Sequence, residues 1–323
     1  MPLAVVMTAD ANGATHEAAA GPATPDSLFR IASMTKIVTT VGALSLNLEL
    51  DAPVAHYVPE FAQLEVLEGF DGDTPRLRAP RTQATVRQLL THTSGLGYYF
   101  LNERLLRWRR IHGTGREALY NEPLVDDPGR RFEYGISTDW LGRVIEAASG
   151  QPLDAYLDEH VLGPLGMRDT TFRPTPEQRA RLVPVRVRRD GAWQATEADW
   201  PQDPGWAPGG HGLYSTPRDF LRLQRHLLTQ HDEIFTPQVE FPAHIATAHP
   251  RTSADLSLGP GLYWGLGGLL AGPAQGGWMG LYNTFFWVDR KTGATDSLFT
   301  QTQPFVEPAV LRLLQDVKRT IYA

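Results

Sequence analysis

The strand-forming segments of this 323-residue chain stand at its two ends, and mostly helical patterning fills the middle. Residues 3–20 are typical of a β-hairpin that turns at Asn12-Gly13, a dipeptide that favours such turns. Residues 278–301 are rich in aromatic and β-branched side chains and are interrupted by turn residues at 290–293. A chain with this order is predicted to build one sheet from both ends.

The pattern divides the chain into two lobes. Residues 1–30 and 210–323 are predicted to form an α/β lobe, and residues 31–209 a mainly helical lobe inserted into it, with the active site in the cleft between them. Caps, turns and periodicity predict further elements. The helices are one over Phe29–Leu46, four that begin at Thr85, Asn102, Ser137 and Thr216, and a last one over Pro308–Tyr322. Two strands are predicted at 182–189 and from Trp193, joined by the turn Arg189–Gly191.

Composition excludes several classes of function. Without cysteine the chain has no disulfide, thiol nucleophile or cysteine-bound metal. A net charge of −6, with no run of like charges, argues against nucleic-acid and membrane partners. Residues 261–272, the longest apolar run, are too short to span a bilayer, and no signal-peptide pattern is visible, so a cytoplasmic protein is expected. The ten histidines lack metal-site spacing, and no metal is predicted.

Ser33-Met-Thr-Lys36 is the most informative tetrapeptide. Helix residues three apart share one face, with about 5–6 Å between their Cβ atoms. A serine hydroxyl needs a base before it becomes a good nucleophile, and a lysine of lowered pKa can be that base. Lysine is rare here, with Lys36, Lys291 and Lys318 against 27 arginines. The alternative, a solvated helix turn, does not explain the apolar residues on either side.

Three motifs follow one another along the chain: Phe29-Arg-Ile-Ala-Ser-Met-Thr-Lys36, Leu89-Leu-Thr-His-Thr-Ser-Gly-Leu96 and Pro128-Gly-Arg-Arg-Phe-Glu-Tyr134. Together they resemble the class C β-lactamase-like serine hydrolases, in particular the family VIII carboxylesterases. The resemblance covers nearly the whole chain. It implies the serine β-lactamase/penicillin-binding-protein-like fold, an α/β lobe with an antiparallel sheet and an inserted all-α lobe. By the family pattern Ser33 is the nucleophile, Lys36 its base partner and Tyr134 a second base or proton shuttle.

Tyr134 suits that role chemically. A phenol acts as a base near neutral pH only when cations lie close to it, and Lys36 is a suitable cation. Other tyrosines could fill the same role as far as residue type is concerned, namely Tyr98, Tyr99 and Tyr282, but only Tyr134 lies in the matching motif. A tyrosine of the core is the alternative for this residue.

Three other residues look catalytic and are assigned different roles. His92 is interpreted as fixing the turn after a short helix, rather than as a base. Ser94 belongs to the same turn and lacks the Gly-x-Ser-x-Gly pattern of a nucleophile elbow. Lys291-Thr-Gly293 spells the Lys-Thr-Gly motif of β-lactamases, yet it lies in a predicted hairpin turn, so Lys291 is rejected as a site residue.

Trp278-Met-Gly280-Leu281 resembles the Trp-Gly-Gly strand that borders the active site in the related esterases. On that alignment the backbone N–H groups of Ser33 and Leu281 form the oxyanion hole, because two convergent amides stabilise a tetrahedral intermediate. Trp278 and Gly280 are assigned to substrate binding. Met279 replaces a glycine of the esterase motif and is expected to narrow the cleft.

Substrate binding is also assigned to Ile136, Tyr98 and Tyr282. Ile136 stands where β-lactamases carry the Asn of Tyr-x-Asn, so one amide that binds the substrate is missing. Nearby aromatic residues are expected to line either an apolar pocket or the core; they are Tyr99, Phe100, Trp206 and Trp264.

These residues predict a serine carboxylesterase that hydrolyses short-acyl esters through an acyl-enzyme, without a cofactor. The expected partner is a small-molecule ester, with no nucleic acid and no membrane, and the oligomeric state is left open. An acyltransferase, a β-lactamase or a D-amino peptide hydrolase with the same site is the first alternative. A non-catalytic relative that binds peptidoglycan or another ligand is the second.

Overall fold

The structure is a computed structural model that describes residues 2–189, 191–197, 199–200, 205–249 and 254–321. Its α-helices are α1 Thr35–Ser45, α2 Val54–Tyr57, α3 Val86–Leu90, α4 Glu103–His112, α5 Arg116–Tyr120, α6 Ser137–Ser149, α7 Leu153–Leu157, α8 Pro176–Arg179, α9 Pro217–Leu227 and α10 Pro308–Ile321. Single turns of 3-10 helix lie at Ala32–Met34, Pro59–Gln63 and Asp232–Phe235, and a π-helical turn lies at Asp158–Leu162.

The strands are short, six residues at most. They are β1 Ala4–Ala9, β2 Thr15–Ala20, β3 Phe29–Arg30, β4 Val66–Asp71, β5 Thr74–Arg78, β6 Arg186–Arg189, β7 Ala192–Ala195, β8 Tyr214–Ser215, β9 Val239–Glu240, β10 His244–Ile245, β11 Leu256–Ser257, β12 Tyr263–Trp264, β13 Leu269–Leu270, β14 Gln275–Gly280, β15 Thr284–Asp289, β16 Ala294–Phe299 and β17 Thr302–Gln303.

The main sheet has eight antiparallel strands in the order β2-β1-β16-β15-β14-β13-β12-β9. The first and last long strands pair inside it, with Val5 opposite Phe299. The two ends of the chain therefore meet in one sheet, as the sequence pattern predicts.

Consecutive residues of β15 point to opposite faces of the sheet, and each face is covered by a helix. The ring of Phe286 packs at a tilt of 59° against that of Phe220 in α9, with ring centroids 5.2 Å apart. Its neighbour Phe285 belongs to a cluster on the other face that includes Val310 of α10. The sheet is thus a middle layer between α9 and α10.

The helical part is centred on α1, which is buried along nearly its whole length and packs against α6 and α7. Thr85 caps α3 in a capping box with Gln88, as predicted. Gly150 ends α6 with a left-handed φ of 71°, also as predicted. The N-cap of α6 is Ile136, with no side-chain cap, rather than Ser137.

The predicted helix over Phe29–Leu46 is wrong at its start. Phe29 and Arg30 form β3, which pairs with β8, and a 3-10 turn separates β3 from α1. Ala32 has a φ of 45°, a left-handed conformation that a continuous α-helix cannot contain. Apolar spacing alone does not reveal this break.

Two other differences concern strands. The hairpin of β4 and β5 lies in the region that the pattern marks as helical. The strands predicted at 182–189 and from Trp193 are present as β6 and β7, but Asp190 of their predicted turn lies outside the described residues, as does Tyr322 of the last helix. Within the described residues, no helix has the length and hydropathy needed to cross a bilayer.

Candidate active site

Ser33 lies in the 3-10 turn between β3 and α1, against the end of β14. The contact with β14 is made through Gly280: a Cβ atom there would stand 2.4 Å from the Ile31 carbonyl oxygen and 2.4 Å from Thr284 Oγ1. Only glycine allows this approach. Gly280 therefore sets the distance between the turn that carries Ser33 and the strand that continues into Leu281.

Lys36 is fully buried, and its ammonium has three partners. Its Nζ lies 3.3 Å from Ser33 Oγ. It also donates to the Tyr98 hydroxyl at 3.0 Å and to the Gly210 carbonyl at 2.7 Å. Three oxygen contacts surround Nζ, so the lysine is held in one orientation, directed at Ser33.

Two tyrosine rings enclose this ammonium. The Nζ atom lies 4.9 Å from the ring centroid of Tyr134 and 5.2 Å from that of Tyr98. The Tyr134 hydroxyl accepts a hydrogen bond from Trp278 Nε1 at 2.8 Å. Burial, together with nearby negative charge, raises the pKa of Tyr98 well above its usual value, which keeps that phenol protonated. The sequence assigned Tyr98 to substrate binding; the structure adds its contact with Lys36.

His92 supports the segment that carries Tyr134. Its φ of 52° forms the tight turn predicted from the sequence. The His92 carbonyl accepts from the Glu133 N–H at 2.7 Å, and its Nδ1 accepts from the Gly135 N–H at 3.3 Å. Burial, assisted by the charge of Lys36, lowers the pKa of His92 well below its usual value, so the ring is neutral. Its contacts are with the backbone on both sides of Tyr134.

Two cavities meet at Ser33. The small cavity, about 60 Å³, is largely apolar; its lining includes Tyr134, Ile245, Trp278, Met279 and Phe305. The large cavity, about 280 Å³, is more polar; its lining includes Tyr98, Arg109, Trp206, His211 and Tyr282. Ser33 and Leu281 line both cavities, so a group bound at Ser33 Oγ has access to either side.

Some predicted residues lie away from these cavities. Ile136 is 1% exposed and packs in the hydrophobic core, so its side chain is not positioned to contact a substrate. Trp264 is likewise a core residue. Lys291 is exposed in the turn between β15 and β16, and its backbone N–H donates to Asp289 at 2.9 Å rather than to solvent.

Sequence reasoning missed a polar group on the far side of Lys36. Gly210, whose carbonyl accepts from Lys36, donates its own N–H to Asp139 Oδ1 at 3.1 Å. His211 Nδ1 lies 3.3 Å from the same carboxylate oxygen. A Cβ at Gly210 would stand 2.4 Å from Asp139 Oδ2, so the backbone can lie between the two charges only as glycine. The feature of the sequence that could have indicated this close approach of backbone and carboxylate is the glycine-rich stretch 208–212.

Comparison with known protein families identifies the family of this chain. The family model described as Beta-lactamase matches residues 1–318. The chain belongs to the β-lactamase family. This confirms the resemblance seen in the three motifs.

Curated relatives in the β-lactamase family include both transferases and esterases. A monacolin J acid methylbutanoyltransferase of Aspergillus terreus is 31% identical, over 94% of this chain and 83% of the relative. Lovastatin esterase of Penicillium rubens is 32% identical, over 79% and 72%. Esterase EstB of Burkholderia gladioli is 32% identical, over 90% and 82%. With such relatives, the chain is an enzyme of the serine hydrolase and acyltransferase type.

Solved structures show the same fold. A simvastatin synthase mutant from Aspergillus terreus superposes with a TM-score of 0.87 at 29% identity, covering 97% of this chain and 88% of the other. A penicillin-binding protein homologue from Pyrococcus abyssi shares the fold, with a TM-score of 0.71 at 19% identity, covering 98% and 74%. The predicted fold class, an antiparallel sheet with an inserted helical region, is confirmed.

Proposed function

We propose that this protein is a serine carboxylesterase that hydrolyses short-acyl esters through an acyl-enzyme on Ser33. The observation that supports this most directly is the buried Lys36 Nζ 3.3 Å from Ser33 Oγ, at the point where two cavities meet. A serine without a base is a poor nucleophile, and this pair supplies the base. Esterases among the relatives fit the same chemistry.

In the first half of the reaction Lys36 acts as a neutral amine: Ser33 Oγ attacks the ester carbonyl, and its proton passes to the lone pair of Lys36 Nζ, 3.3 Å away. The Tyr134 hydroxyl, on the wall of the small cavity and oriented by Trp278, then protonates the leaving alkoxide. The Lys36 ammonium formed in this step lies over the Tyr134 ring and stabilises the negative charge left on the phenol. It then passes its proton to that phenolate, so Lys36 and Tyr134 both return to their starting states. No cofactor takes part in these steps.

We assign stabilisation of the negative charge that develops on the carbonyl oxygen to two backbone N–H groups, those of Ser33 and Leu281. Both residues border both cavities, and Gly280 holds their two segments in contact. Amides fixed before the reaction stabilise an oxyanion without reorganising, which typically contributes about 3–4 kcal/mol for each donor. Water then attacks the acyl-enzyme and releases the acid.

The substrate class follows from the small cavity. Its described lining carries no charged side chain, and its volume of about 60 Å³ admits only a few carbon atoms. We assign it to the acyl group and expect uncharged, compact acids. Met279, which replaces a glycine of the esterase motif, lines this cavity and limits its length.

The test combines labelling with an acyl-chain series. A fluorophosphonate should modify Ser33 alone, as located by peptide mass spectrometry, and Ser33→Ala should lose turnover of p-nitrophenyl butyrate while it keeps its circular dichroism spectrum. Met279→Ala should raise kcat/KM for the octanoate relative to the butyrate by roughly fourfold for each extra CH₂ that the cavity accepts. Labelling of Ser94, or wild-type turnover by Ser33→Ala, would refute the mechanism.

Acyl transfer to an alcohol is the second candidate, and the large cavity favours it. That cavity is several times the volume of the small one, is lined by aromatic side chains, and opens on the same Ser33. A bulky alcohol can bind there while the acyl group occupies the small cavity. The transferases among the relatives use an acyl acceptor other than water by name. Adding alcohols of increasing size to a p-nitrophenyl butyrate reaction, and measuring ester product against free butyrate, tests this directly.

A further inference from the structure

We propose that Phe100 is a partition that keeps the acyl group and the alcohol group of a bound ester in separate cavities. It follows that the enzyme selects the two groups independently of each other. The inference rests on the proposed acyl-enzyme on Ser33 and on the assignment of the acyl group to the small cavity, and it adds a residue that determines specificity.

The junction of the two cavities is bordered by Ser33, Leu281 and Phe100, the described residues that line both. Ser33 supplies the nucleophile, and the backbone N–H of Leu281 is assigned to the oxyanion. Phe100 is the apolar third side of the junction. An ester carbon held at Ser33 carries its acyl chain and its alcohol oxygen in different directions, so the two groups leave the junction into different cavities.

The chain passes from one cavity to the other at Phe100. Tyr98 and Tyr99, which precede it, line the large cavity. Leu101, which follows it, lines the small cavity. The size of the side chain at this crossing point therefore sets how far each cavity is closed to a group bound in the other.

Contacts at its ring and at its backbone hold Phe100 in place. The ring stacks on that of Tyr98, with centroids 4.7 Å apart and an interplanar angle of 20°, and the Tyr98 hydroxyl is itself bound by Lys36. The Phe100 carbonyl oxygen accepts from the Ala248 N–H at 2.7 Å and from Thr247 Oγ1 at 3.1 Å. A ring whose position is fixed by packing and hydrogen bonds acts as a wall, because it does not move aside for a longer acyl chain.

Met279 offers a comparison, because it limits the small cavity without bordering the large one. It is part of the described lining of the small cavity alone. Shortening Met279 lengthens that cavity, so a longer acyl chain stays clear of the alcohol. Shortening Phe100 joins the two cavities, so a longer acyl chain enters the space that the alcohol needs. The two substitutions should have the same effect on acyl length and different effects on the alcohol.

Four esters measure this difference: ethyl butyrate, ethyl hexanoate, 2-naphthyl butyrate and 2-naphthyl hexanoate. Comparing kcat/KM across all four cancels the unequal reactivity of the two alcohols and leaves the coupling between acyl and alcohol groups, as in a double-mutant cycle. Met279→Ala and Phe100→Ala should both raise kcat/KM for ethyl hexanoate relative to ethyl butyrate by about tenfold, for two extra CH₂ groups. With the naphthyl esters, Met279→Ala should show the same gain within about twofold, whereas Phe100→Ala should show none.

Two further variants complete the experiment. Phe70→Ala removes a half-buried ring of β4 that is not part of the described lining of either cavity, and it is the matched control that should keep wild-type ratios. Phe100→Leu keeps part of the side chain and should show the same pattern at about threefold, which tests the proposal without Phe100→Ala if that variant does not fold.

Equal gains for ethyl and naphthyl hexanoate in the Phe100 variants, or no gain for ethyl hexanoate in either of them, would overturn the proposal for Phe100. Failure of the wild type to hydrolyse any of the four esters, together with no fluorophosphonate labelling of Ser33, would instead overturn the proposed function.

Discussion

Trp278 Nε1 donates a hydrogen bond to the Tyr134 hydroxyl across 2.8 Å. The two residues come from different parts of the fold, Trp278 from β14 and Tyr134 from the loop before α6. Their rings also meet edge to face, with centroids 5.2 Å apart. One indole thus both forms a wall of the small cavity and fixes the direction of the phenol oxygen.

Trp278→Phe removes the donor and keeps most of the ring. We expect kcat for p-nitrophenyl butyrate to fall about fivefold, the equivalent of about 1 kcal/mol for a neutral hydrogen bond. Tyr134→Phe, which also removes the phenol oxygen, should cost 10²-fold or more. Trp287→Phe on the neighbouring β15, where the ring contacts Lys318 rather than the site, is the matched control. Equal rates for Trp278→Phe and Trp287→Phe would contradict the orienting role.

The two lysines of the candidate motifs should behave differently. Lys36→Ala removes a fully buried ammonium with three partners and should lower kcat/KM by about 10³-fold or more. Lys291→Ala removes an exposed side chain in the turn between β15 and β16 and should change kcat/KM by less than about threefold. Steady-state kinetics with one ester decides the matter. Similar losses in both variants would mean that the Lys-Thr-Gly sequence had been rejected wrongly.

Esters should be preferred over β-lactams. The described lining of the small cavity holds no cation, and Arg109 in the large cavity is already paired with Glu122, so a cephalosporin carboxylate finds no free partner among these side chains. A missing polar contact is worth about 1–3 kcal/mol, or roughly 5- to 150-fold in kcat/KM. Side-by-side values for p-nitrophenyl butyrate and nitrocefin test this. A nitrocefin value at or above that of the ester would favour the β-lactamase alternative.

His92 should contribute a loss of stability on acidification. Its pKa is lowered in the folded protein by burial and by Lys36, so below an unfolded pKa of about 6.5 the unfolded chain binds a proton that the folded chain does not. The free energy of unfolding is then lost as pH falls through this range, by up to about 1.4 kcal/mol per pH unit. Urea titrations at pH 7, 6 and 5 measure it.

His92→Asn should flatten that slope, because asparagine tolerates the left-handed backbone of this position and does not titrate. His56→Asn, at an exposed position, serves as control and should keep the wild-type slope. Glu122, whose pKa burial raises to about 7, contributes with the opposite sign in both variants and cancels in the comparison. An unchanged slope in His92→Asn would show that this histidine is not the titrating group.

The sequence located the residues that share a local motif. Ser33 and Lys36 are three positions apart, and the 3-10 turn that carries Ser33 runs directly into α1, so their proximity follows from local helical geometry. Trp278 and Tyr134 were each found through a motif of their own, but their hydrogen bond was not predicted, because residues 144 positions apart meet only through tertiary packing.

Asp139 and His211 were missed for the same reason. Both contact Gly210, whose carbonyl accepts a hydrogen bond from Lys36, 174 positions away in the sequence. No residue spacing in the sequence predicts that contact. The start of α1 was misplaced because Ala32 has a left-handed φ that its sequence gives no reason to expect. Ile136 was assigned by alignment to a polar position of relatives, and its burial in the core follows instead from its place at the start of α6.

The pairing of β1 with β16 has a consequence for synthesis on the ribosome. The Ser297 hydroxyl reaches the Met7 carbonyl across 290 positions, and Thr284 reaches Ile31 across 253. Ser33 leaves the ribosome well before β14, the strand that lies against it. Long-range pairing of this kind slows folding, and the first hairpin waits as an unpaired edge while α1 to α9 are made. A nascent chain that stalls before β14 therefore carries Ser33 but not the strand that lies against it, which delays any ester cleavage until β14 has been made.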